Sequence, residues 1–327
     1  MVHFHSVLKD EITTYLAVRK TVLSESAYKH DVGCLSSFDA FLVHIGLPEK
    51  AITEPIVIKW QGTLTGKSIT KAGKIIMVRT FFKYLRSLGV SVYMPVVPKI
   101  ADDYIPYVFS NEELERIFTA ADNSLFTKGQ QNPFIKTEIP MIFRILYGCG
   151  LRIGETLALQ MQDVDLQNGI LTLTHVKNKR HRLVPMSPSL AEIVRRYCMA
   201  MGIIGTPDAY LFPRAHPTRP LSIRSVRNRF DVITKNLRIA LPHRKRHERG
   251  PCLHCLRHVF VLKSFSKAQA NGRAIDDSIP FLSIYLGHDS LQETEKYLKF
   301  SSEMFPNALE LFDNYAGKVF PEAEHEK

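Results

Sequence analysis

The pattern of apolar residues changes near residue 94, and this change constrains the fold more than any other feature of the chain. Before it, apolar side chains recur at helical spacing in three stretches, residues 12–22, 28–45 and 68–88. Gly46 and Gly89 stand just after the last two stretches, where a helix C-terminal cap belongs. The sequence therefore predicts a small all-helical domain over residues 1–93.

A proline-bearing connector follows the helical part. Residues 94–107 contain Pro95, Pro98 and Pro106, which suit an extended segment better than a helix. A chain of 327 residues is also long for a single domain. We therefore predict a linker over residues 94–107 and a second domain over residues 108–327.

The second domain is predicted to be mainly α-helical with a small antiparallel β-sheet. Ser110 and Glu113 have the spacing of a capping box that opens a helix. Residues 170–176 alternate in polarity, and residues 182–186 can pair back on them as a β-hairpin. The basic segment between these strands, residues 177–181, would form a hairpin tip that can contact phosphates.

The charge balance favours a polyanionic partner. The chain has 43 Lys and Arg residues against 32 Asp and Glu, a formal net charge of +11, and such a surplus is typical of nucleic-acid-binding proteins. Five cysteines, an odd number spread over a long chain, indicate reduced thiols in the cytoplasm and not a disulfide framework. No apolar run reaches the roughly 20 residues that span a bilayer. We expect a cytoplasmic, nucleoid-associated protein with no membrane partner.

Six separated side chains together suit the breaking of a phosphodiester: Arg152, Lys177, His254, Arg257, His288 and Tyr297. The reaction develops negative charge on the non-bridging oxygens, and two guanidiniums can bind those oxygens without a metal ion. His254 and Arg257 are three residues apart, so on a helix both side chains reach one phosphate. We therefore expect a phosphoryl-transfer site with no metal and no other cofactor.

Tyr297 is the predicted nucleophile of this site. A phenol with a pKa of about 10 reacts poorly at neutral pH unless a base takes its proton and cations surround it. His254 is the candidate proton acceptor, and Lys177, on the hairpin tip, is the candidate proton donor to the departing sugar oxygen. Lys296 and Lys299 flank Tyr297, which favours a tyrosine that reaches DNA over a half-buried aromatic that anchors a helix.

The segments that carry these residues resemble the motifs of the tyrosine recombinase (phage integrase) family, whose active site is shared with type IB topoisomerases. Residues 150–155 resemble the family's first arginine box, residues 254–258 its His-x-Leu-Arg-His box, and residues 286–288 its Leu-Gly-His box. Tyr297 falls where the family's nucleophile falls. The resemblance extends over essentially the whole chain, with the motifs of the second domain in the family's order and spacing.

The resemblance implies a two-domain, C-shaped DNA clamp, with a core-binding (SAM-like) DNA-binding domain before the linker and a catalytic domain with a C-terminal helical tail after it. It implies a site-specific recombinase or integrase that cleaves and rejoins DNA through a 3′-phosphotyrosyl intermediate and a Holliday junction, without ATP. The implied partners are double-stranded DNA, further copies of the chain as a tetramer on synapsed sites, and accessory proteins. The implied setting is integration or transposition of a mobile genetic element. The tail, residues 304–315, would dock onto a neighbouring subunit; the alternative is that it packs on its own domain.

Within the resemblance, Arg152 and Arg257 inherit the phosphate clamp and Lys177 the general acid. The hairpin lacks the family's usual glycines around the lysine, so Lys179 stays open as the acid. Other basic residues are expected to contact DNA phosphates, which position a protein without reading base sequence. They are Lys179, Arg180, Arg224, Arg227, Arg229, Arg244, Lys245 and Arg246 in the second domain, and Lys67, Lys71 and Lys74 in the first.

Metal binding is the main structural alternative at two places. Asp163 and Asp165 form an Asp-x-Asp pair, but they fit turn and capping positions better than metal ligands. Cys252 and Cys255 have the spacing of a zinc ligand pair, but no second pair with suitable spacing follows. Three further residues near the motifs are expected to have structural roles in pairing or packing: Glu155, His258 and Tyr285.

Two rival functions stay open from the sequence. A type IB topoisomerase would use the same chemistry to relax supercoils as a lone subunit, whereas a non-catalytic accessory DNA-binding protein would not need the six side chains. The small helical first domain and the interaction-prone tail favour recombination over relaxation. The presence of all six side chains disfavours the accessory role.

Overall fold

The computed structural model describes residues 2–100, 106–123, 134–174, 181–239 and 250–300. For residues 299 and 300 it describes the backbone and not the side chains. The chain divides into two compact units, Met1–Asp102 and Asp103–Lys327. Helices predominate in both units, and the sheet found among the described residues lies in the second.

The first unit is a helical bundle around an aromatic core. Phe38 lies at its centre, with ring centroids 5.3 Å from Trp60 and 5.4 Å from Phe82. These rings pack in edge-to-face arrangements and exclude water from the bundle. The three predicted helices are confirmed as α1, α2 and α4. The described helices of this unit are α1 (Lys9–Val22), α2 (Glu25–His44), α3 (Glu54–Thr63) and α4 (Ser68–Ser87).

Helix α3 is the element that the apolar pattern does not predict. It has only ten residues, with a proline in its first turn, and its buried positions are Val57 and Trp60. Two buried positions are too few to establish a helical period in the sequence. The helix forms because Trp60 is drawn into the core, which is a tertiary effect.

The start of the predicted linker is bound to the first unit. The Tyr93 amide donates to the Ile52 carbonyl at 2.7 Å. Arg79 donates to the Pro95 carbonyl at 2.6 Å, and the side-chain amide of Gln61 donates to the Val96 carbonyl at 3.2 Å. Residues 93–96 therefore belong structurally to the first unit, although they contain no helix or ladder strand.

The second unit is mainly helical and carries a three-stranded antiparallel sheet in the order β1-β2-β3. Its helices are α5 (Asn111–Asp122), α6 (Ile135–Cys149), α7 (Ile153–Ala158), α8 (Pro188–Met201), α9 (Ile223–Asn236), α10 (His254–Ala270), α11 (Ile275–Leu286) and α12 (Leu291–Glu295). Its strands are β1 (Val164–Asp165), β2 (Ile170–Leu173) and β3 (Arg182–Pro185).

Helix α6 is the central element of this unit. It is buried over most of its surface and packs against α5, α8 and α10. An apolar helix that is covered on all sides is expected at the centre of a domain. Helix α6 packs against α10, which carries His254 and Arg257, and Arg152 follows two residues after its C-terminal cap, Gly150.

The predicted hairpin and capping box are confirmed where the structure describes them. Strands β2 and β3 pair antiparallel, with Leu173 opposite Arg182. Of the predicted tip, residues 177–181, the first four lie outside the described residues. The Ser110 hydroxyl accepts from the Glu113 amide at 3.1 Å, and the Glu113 carboxylate accepts from the Ser110 amide at 2.9 Å. Among the helices that the structure describes, none is long and apolar enough to cross a membrane.

Candidate active site

Two helices end in glycines that bring their last carbonyls to the same place. Helix α6 ends at Gly150 and α11 ends at Gly287, both in the left-handed conformation with φ of 62° and 64°. A Cβ atom at Gly287 would lie 2.7 Å from Nη1 of Arg182, and one at Gly150 would overlap the Phe260 ring. Glycine is therefore needed at both positions for backbone conformation and for space.

Arg257 is held by these two helix ends. Its side chain is 1% exposed. Nη1 donates to the Gly150 carbonyl at 2.6 Å, and Nη2 donates to the Leu286 carbonyl at 3.0 Å. Nη2 also lies 3.0 Å from Nε2 of His288. The guanidinium is thus fixed in one orientation before any ligand arrives.

Arg152 contacts the C-terminal end of α11 as well. Its Nη1 lies 3.5 Å from the Leu286 carbonyl and 3.4 Å from the Gly287 carbonyl. The two predicted clamp arginines therefore share one carbonyl acceptor and converge, although they are far apart in the sequence. Arg152 differs from Arg257 in being 33% exposed at its side chain, so it presents free surface to an incoming anion.

Glu155 connects Arg152 to the sheet. Its carboxylate accepts from Nη1 of Arg152 at 3.0 Å and from Nη2 of Arg182 at 2.8 Å. Burial by itself would raise the pKa of this carboxyl, but the hydrogen bonds and charges of Arg182 and Arg152 outweigh burial and leave the pKa below its usual value. The expected pairing of Glu155 with a basic group is confirmed.

Arg182 is a site residue that sequence reasoning missed. It begins β3, at the base of the hairpin, and its Nε donates to the Tyr285 carbonyl at 2.8 Å. Arg182 thus joins the hairpin, α7 and the end of α11 through its two partners. The signal was available: Arg182 and Val184 share the inward face of β3, and an inward arginine must find a carboxylate.

His288 is buried and accepts from Arg257. Because a guanidinium can only donate, Nε2 of His288 carries the lone pair and Nδ1 carries the proton. Nδ1 then donates to the Thr294 hydroxyl at 2.7 Å. Burial first, and then the charges of Arg257 and Arg152, lower the pKa of His288 to about 3. The imidazole is therefore neutral at pH 7.

Tyr297 lies in a single 3-10 turn, Lys296–Phe300, that follows α12. Its ring centroid is 6.1 Å from that of His288, nearly parallel at 8°, and 5.2 Å from that of His258. Tyr297 also lies close enough to Arg257 to affect it: burial lowers the pKa of the Arg257 guanidinium, and the interaction with Tyr297 partly counters this. The predicted nucleophile thus lies beside a predicted clamp arginine.

The expectation that Tyr297 is accessible is wrong for this structure. The residue is 6% exposed. Lys296, which suggested an exposed position, is itself exposed. A charged neighbour in sequence is therefore no guide to the burial of the tyrosine beside it.

His254 and His258 lie on the first turns of α10. Their ring centroids are 4.7 Å apart. His254 is exposed, yet the protein atoms packed around its ring, followed by the charges of Arg257 and Arg152, lower its pKa to about 4. His258 is buried, and neither of its ring nitrogens has a hydrogen-bond partner among the described residues. Both rings are neutral at pH 7.

Comparison with known proteins identifies the family of this chain. The family model described as "Phage integrase family" matches residues 108–304. The chain belongs to the phage integrase family. It is accordingly a tyrosine recombinase, an enzyme that cleaves and rejoins DNA strands.

Full-length relatives and solved structures agree with this family membership. The chain is 27% identical over 296 residues to tyrosine recombinase XerC of Chlorobaculum parvum, covering 83% of each chain. It is 25% identical to a tyrosine recombinase of Pseudothermotoga lettingae, covering 84% of this chain and 88% of that one. Its fold is similar to XerH site-specific recombinase bound to difH substrate, with a TM-score of 0.66 and 18% identity over 88% of this chain and 80% of that chain. It is also similar to a lambda integrase tetramer bound to a Holliday junction, with a TM-score of 0.64 and 16% identity over 90% and 78%.

The other residues predicted for this recombinase fall in three groups. Lys177, Lys179, Arg180, Arg244, Lys245 and Arg246 lie outside the described residues, as does the tail, residues 304–315. Lys67 precedes α4 and is exposed, and Lys71 and Lys74 follow it at helical spacing with partial exposure. On α9, Arg224 and Arg227 are exposed, whereas Arg229 is half-buried.

The three arginines of α9 do not form a single surface. Val226 and Phe230 define the buried face of this helix. At 100° per residue, Arg227 and Arg229 lie on opposite flanks of that face. We therefore expect the recombinase to present Arg224 and Arg227 together and Arg229 separately.

At neither of the two candidate metal sites does the described part of the chain bring a set of metal ligands together. Asp163 accepts from the Gln160 amide at 3.0 Å, and Asp165 accepts from the Asn168 amide at 2.9 Å, so both serve turns as expected. Among the described residues there is no group of three or more His, Cys, Asp or Glu side chains that could hold a metal ion.

Proposed function

We propose that this protein is a site-specific recombinase in which Tyr297 attacks a DNA phosphate that Arg152 and Arg257 hold. The observation that carries the proposal is the convergence of both guanidiniums on the Leu286 carbonyl, beside a tyrosine whose ring packs against His288 and His258. Two fixed cations at one point can neutralise the charge that develops on a pentacoordinate phosphate.

The chemical steps follow from the groups around Tyr297. Its phenolic oxygen forms a bond to phosphorus, and the bond from phosphorus to the 5′-oxygen breaks, leaving a 3′-phosphotyrosyl link and a 5′-hydroxyl. A 5′-hydroxyl of a partner strand reverses the step, which produces a Holliday junction. The ester bond is exchanged and never hydrolysed, so no ATP is consumed.

Proton transfer is assigned to His254 and to the hairpin lysine. His254 is exposed and neutral at pH 7, and so is able to accept the phenolic proton. Tyr297 is buried against Arg257, so we infer that the phenol turns toward the phosphate before His254 takes its proton. Lys177 is the proposed donor to the leaving 5′-oxygen, with Lys179 as the alternative.

The partners of the reaction are also proposals. We propose that the first unit and the catalytic unit close on duplex DNA as a C-shaped clamp, joined by the linker, and that a tetramer assembles on two sites with the help of accessory proteins. The similar structures support this, since one is a XerH recombinase bound to its difH substrate and another a lambda integrase tetramer bound to a Holliday junction. The basic residues named above would contact DNA phosphates, and the protein would act in the cytoplasm on nucleoid DNA.

Covalent trapping tests the assignment of the nucleophile. The protein is incubated with a pool of nicked duplexes of randomised sequence, in which the short released fragment that carries the 5′-hydroxyl diffuses away, and covalent adducts are separated under denaturing conditions. Tyr297→Phe should abolish the adduct and keep DNA binding. Tyr285→Phe is the matched control, because Tyr285 is a partly buried tyrosine that stacks on Phe260. An adduct that persists in Tyr297→Phe overturns the assignment.

Sequencing of the trapped DNA identifies the recombination site, and this site separates recombination from relaxation. Paired copies of the site should be recombined into a new junction. Relaxation of a supercoiled plasmid without recombination of paired sites would instead indicate topoisomerase activity.

A further inference from the structure

Two cysteines flank His254 at the start of α10. The sulfur atoms of Cys252 and Cys255 lie 3.5 Å apart, within hydrogen-bonding distance of each other. The other three cysteines are buried at separate places in the described chain. Among the described residues near the site, this pair is the nucleophilic cluster that the proposed phosphoryl transfer does not use.

The backbone already has the form that a disulfide between these residues requires. The Cys255 amide donates to the Cys252 carbonyl at 2.9 Å, which closes a turn from residue i to residue i+3. Such a turn keeps the two Cα atoms within about 7 Å, and a disulfide needs a Cα separation below roughly the same limit. The sulfurs need only approach from 3.5 Å to about 2.05 Å.

The two thiols differ in a way that orders their reaction. Cys252 is partly exposed, whereas Cys255 is 1% exposed. The hydrogen bond with Cys252, followed by burial, raises the pKa of Cys255. The Cys252 sulfur is therefore the one that a dissolved reagent reaches first. The exposed sulfur is then the attacking group and the buried sulfur the resolving one.

A bond between these sulfurs would act directly on the catalytic helix. His254 is the first residue of α10 and lies between the two cysteines, and Arg257 follows Cys255 by two residues. The turn keeps its general form, but closing the sulfur separation draws residues 252 and 255 together and would displace His254, which lies between them. Misplacement of a catalytic group by about 1 Å can cost on the order of 100-fold in rate.

We propose that Cys252 and Cys255 form a reversible thiol-modification site at which a small-molecule disulfide switches off DNA cleavage. The Cys252 thiolate attacks the disulfide RSSR, forming a mixed disulfide and releasing RS⁻. Cys255 then loses its proton to solvent, attacks the Cys252 sulfur and releases the second RS⁻. The net change oxidises two protein thiols to one disulfide and reduces RSSR to two RSH. A dithiol reductant reverses it.

The first test detects the modification itself and does not depend on any DNA activity. The full chain is incubated with glutathione disulfide, remaining thiols are alkylated, and peptides are mapped by mass spectrometry. The expected result is a Cys252–Cys255 linkage, with loss of two hydrogens, that is absent in Cys252→Ser. Failure of this linkage to form in excess glutathione disulfide, or a stable mixed disulfide in its place, overturns the proposal.

The second test measures the consequence and rests on the proposed function. Oxidised protein should give covalent DNA trapping about 100-fold slower than reduced protein, and dithiothreitol should restore it. Cys252→Ser should keep its trapping rate in oxidant, with Cys252→Ala as a second variant should serine disturb folding. Cys34→Ser, in the first unit, should stay as sensitive as the unmodified chain.

The outcomes separate the two proposals. A mapped disulfide with an unchanged trapping rate overturns the switch and leaves the recombinase assignment standing. Absence of trapping in the fully reduced protein overturns the proposed function, while peptide mapping still decides whether the pair is oxidised.

Discussion

Replacing Glu155 with glutamine should destabilise the catalytic unit far more than the same change at a surface glutamate. Glu155 is 5% exposed and pairs with Arg152 and Arg182. Removing one partner of a buried ion pair costs about 3–5 kcal/mol of stability, because the other partner is left as an uncompensated buried charge. Glutamine keeps one oxygen as an acceptor, so we expect a loss near the lower limit, about 3 kcal/mol.

Glu192→Gln is the matched control in the same unit. Glu192 also pairs with two arginines, Arg195 and Arg196, at 2.7 and 2.9 Å. Its side chain is 42% exposed, and exposed pairs of this kind contribute about 0–1 kcal/mol. Both variants replace a glutamate that pairs with two arginines by glutamine, so the change in charge is the same. They differ in the burial of the glutamate.

The assay can separate the two units of the chain. The single tryptophan, Trp60, is buried in the core of the first unit, so its fluorescence reports unfolding of that unit alone. Far-UV circular dichroism reports both units. In urea, Glu155→Gln should shift the transition of the catalytic unit and leave the Trp60 transition unchanged. A loss in Glu155→Gln no larger than that in Glu192→Gln would refute the claim that this buried network holds the site together.

The remaining predictions concern backbone, pH and catalysis. In urea unfolding, Gly287→Ala should lose more stability than Gly202→Ala. Both glycines have φ of 64°, but only a Cβ at residue 287 would meet a guanidinium, that of Arg182. Equal losses would show that the Arg182 side chain moves aside without a loss of stability. The pKa values of His258 and His288 are lowered to about 3, so the unfolded chain binds protons below about pH 6.5 that the folded chain does not. Stability should therefore fall as pH decreases from 6.5 toward 3, and unfolding midpoints independent of pH from 7 to 5 would contradict this. Arg182→Lys should slow DNA trapping by about 10- to 100-fold, since lysine cannot hold Glu155 and the Tyr285 carbonyl together; a trapping rate equal to that of the unmodified chain would remove Arg182 from the network.

Local signals in the sequence account for much of this fold. Helices α1, α2 and α4 are long enough to show a period, and the capping box at Ser110 needs only residues three apart. Gly46 and Gly89 were expected just after two of these helices, and both adopt a positive φ there. The structure adds Gly150 and Gly287, which also cap helices and leave room for a side chain from another element. Features that depend on neighbours in sequence were therefore predictable.

Features that depend on distant partners were not. The burial of Tyr297 follows from its contacts with His258 and His288, whereas its neighbours in sequence are charged. Arg182 looks like one more basic residue of the hairpin until Glu155, on another element, is seen to accept from it. The division of the α9 arginines between two flanks follows from the burial of Val226 and Phe230, which becomes evident once the core is known.

Identification of the DNA-linked peptide tests the central claim most directly. After trapping on the nicked duplex pool, nuclease and protease digestion leaves a short nucleotide remnant on the attacking residue, and tandem mass spectrometry locates it. We predict that the remnant is joined through phosphate to Tyr297, and that its yield collapses in both Arg152→Ala and Arg257→Ala. A remnant on any other residue, or full yield without either arginine, would contradict the account.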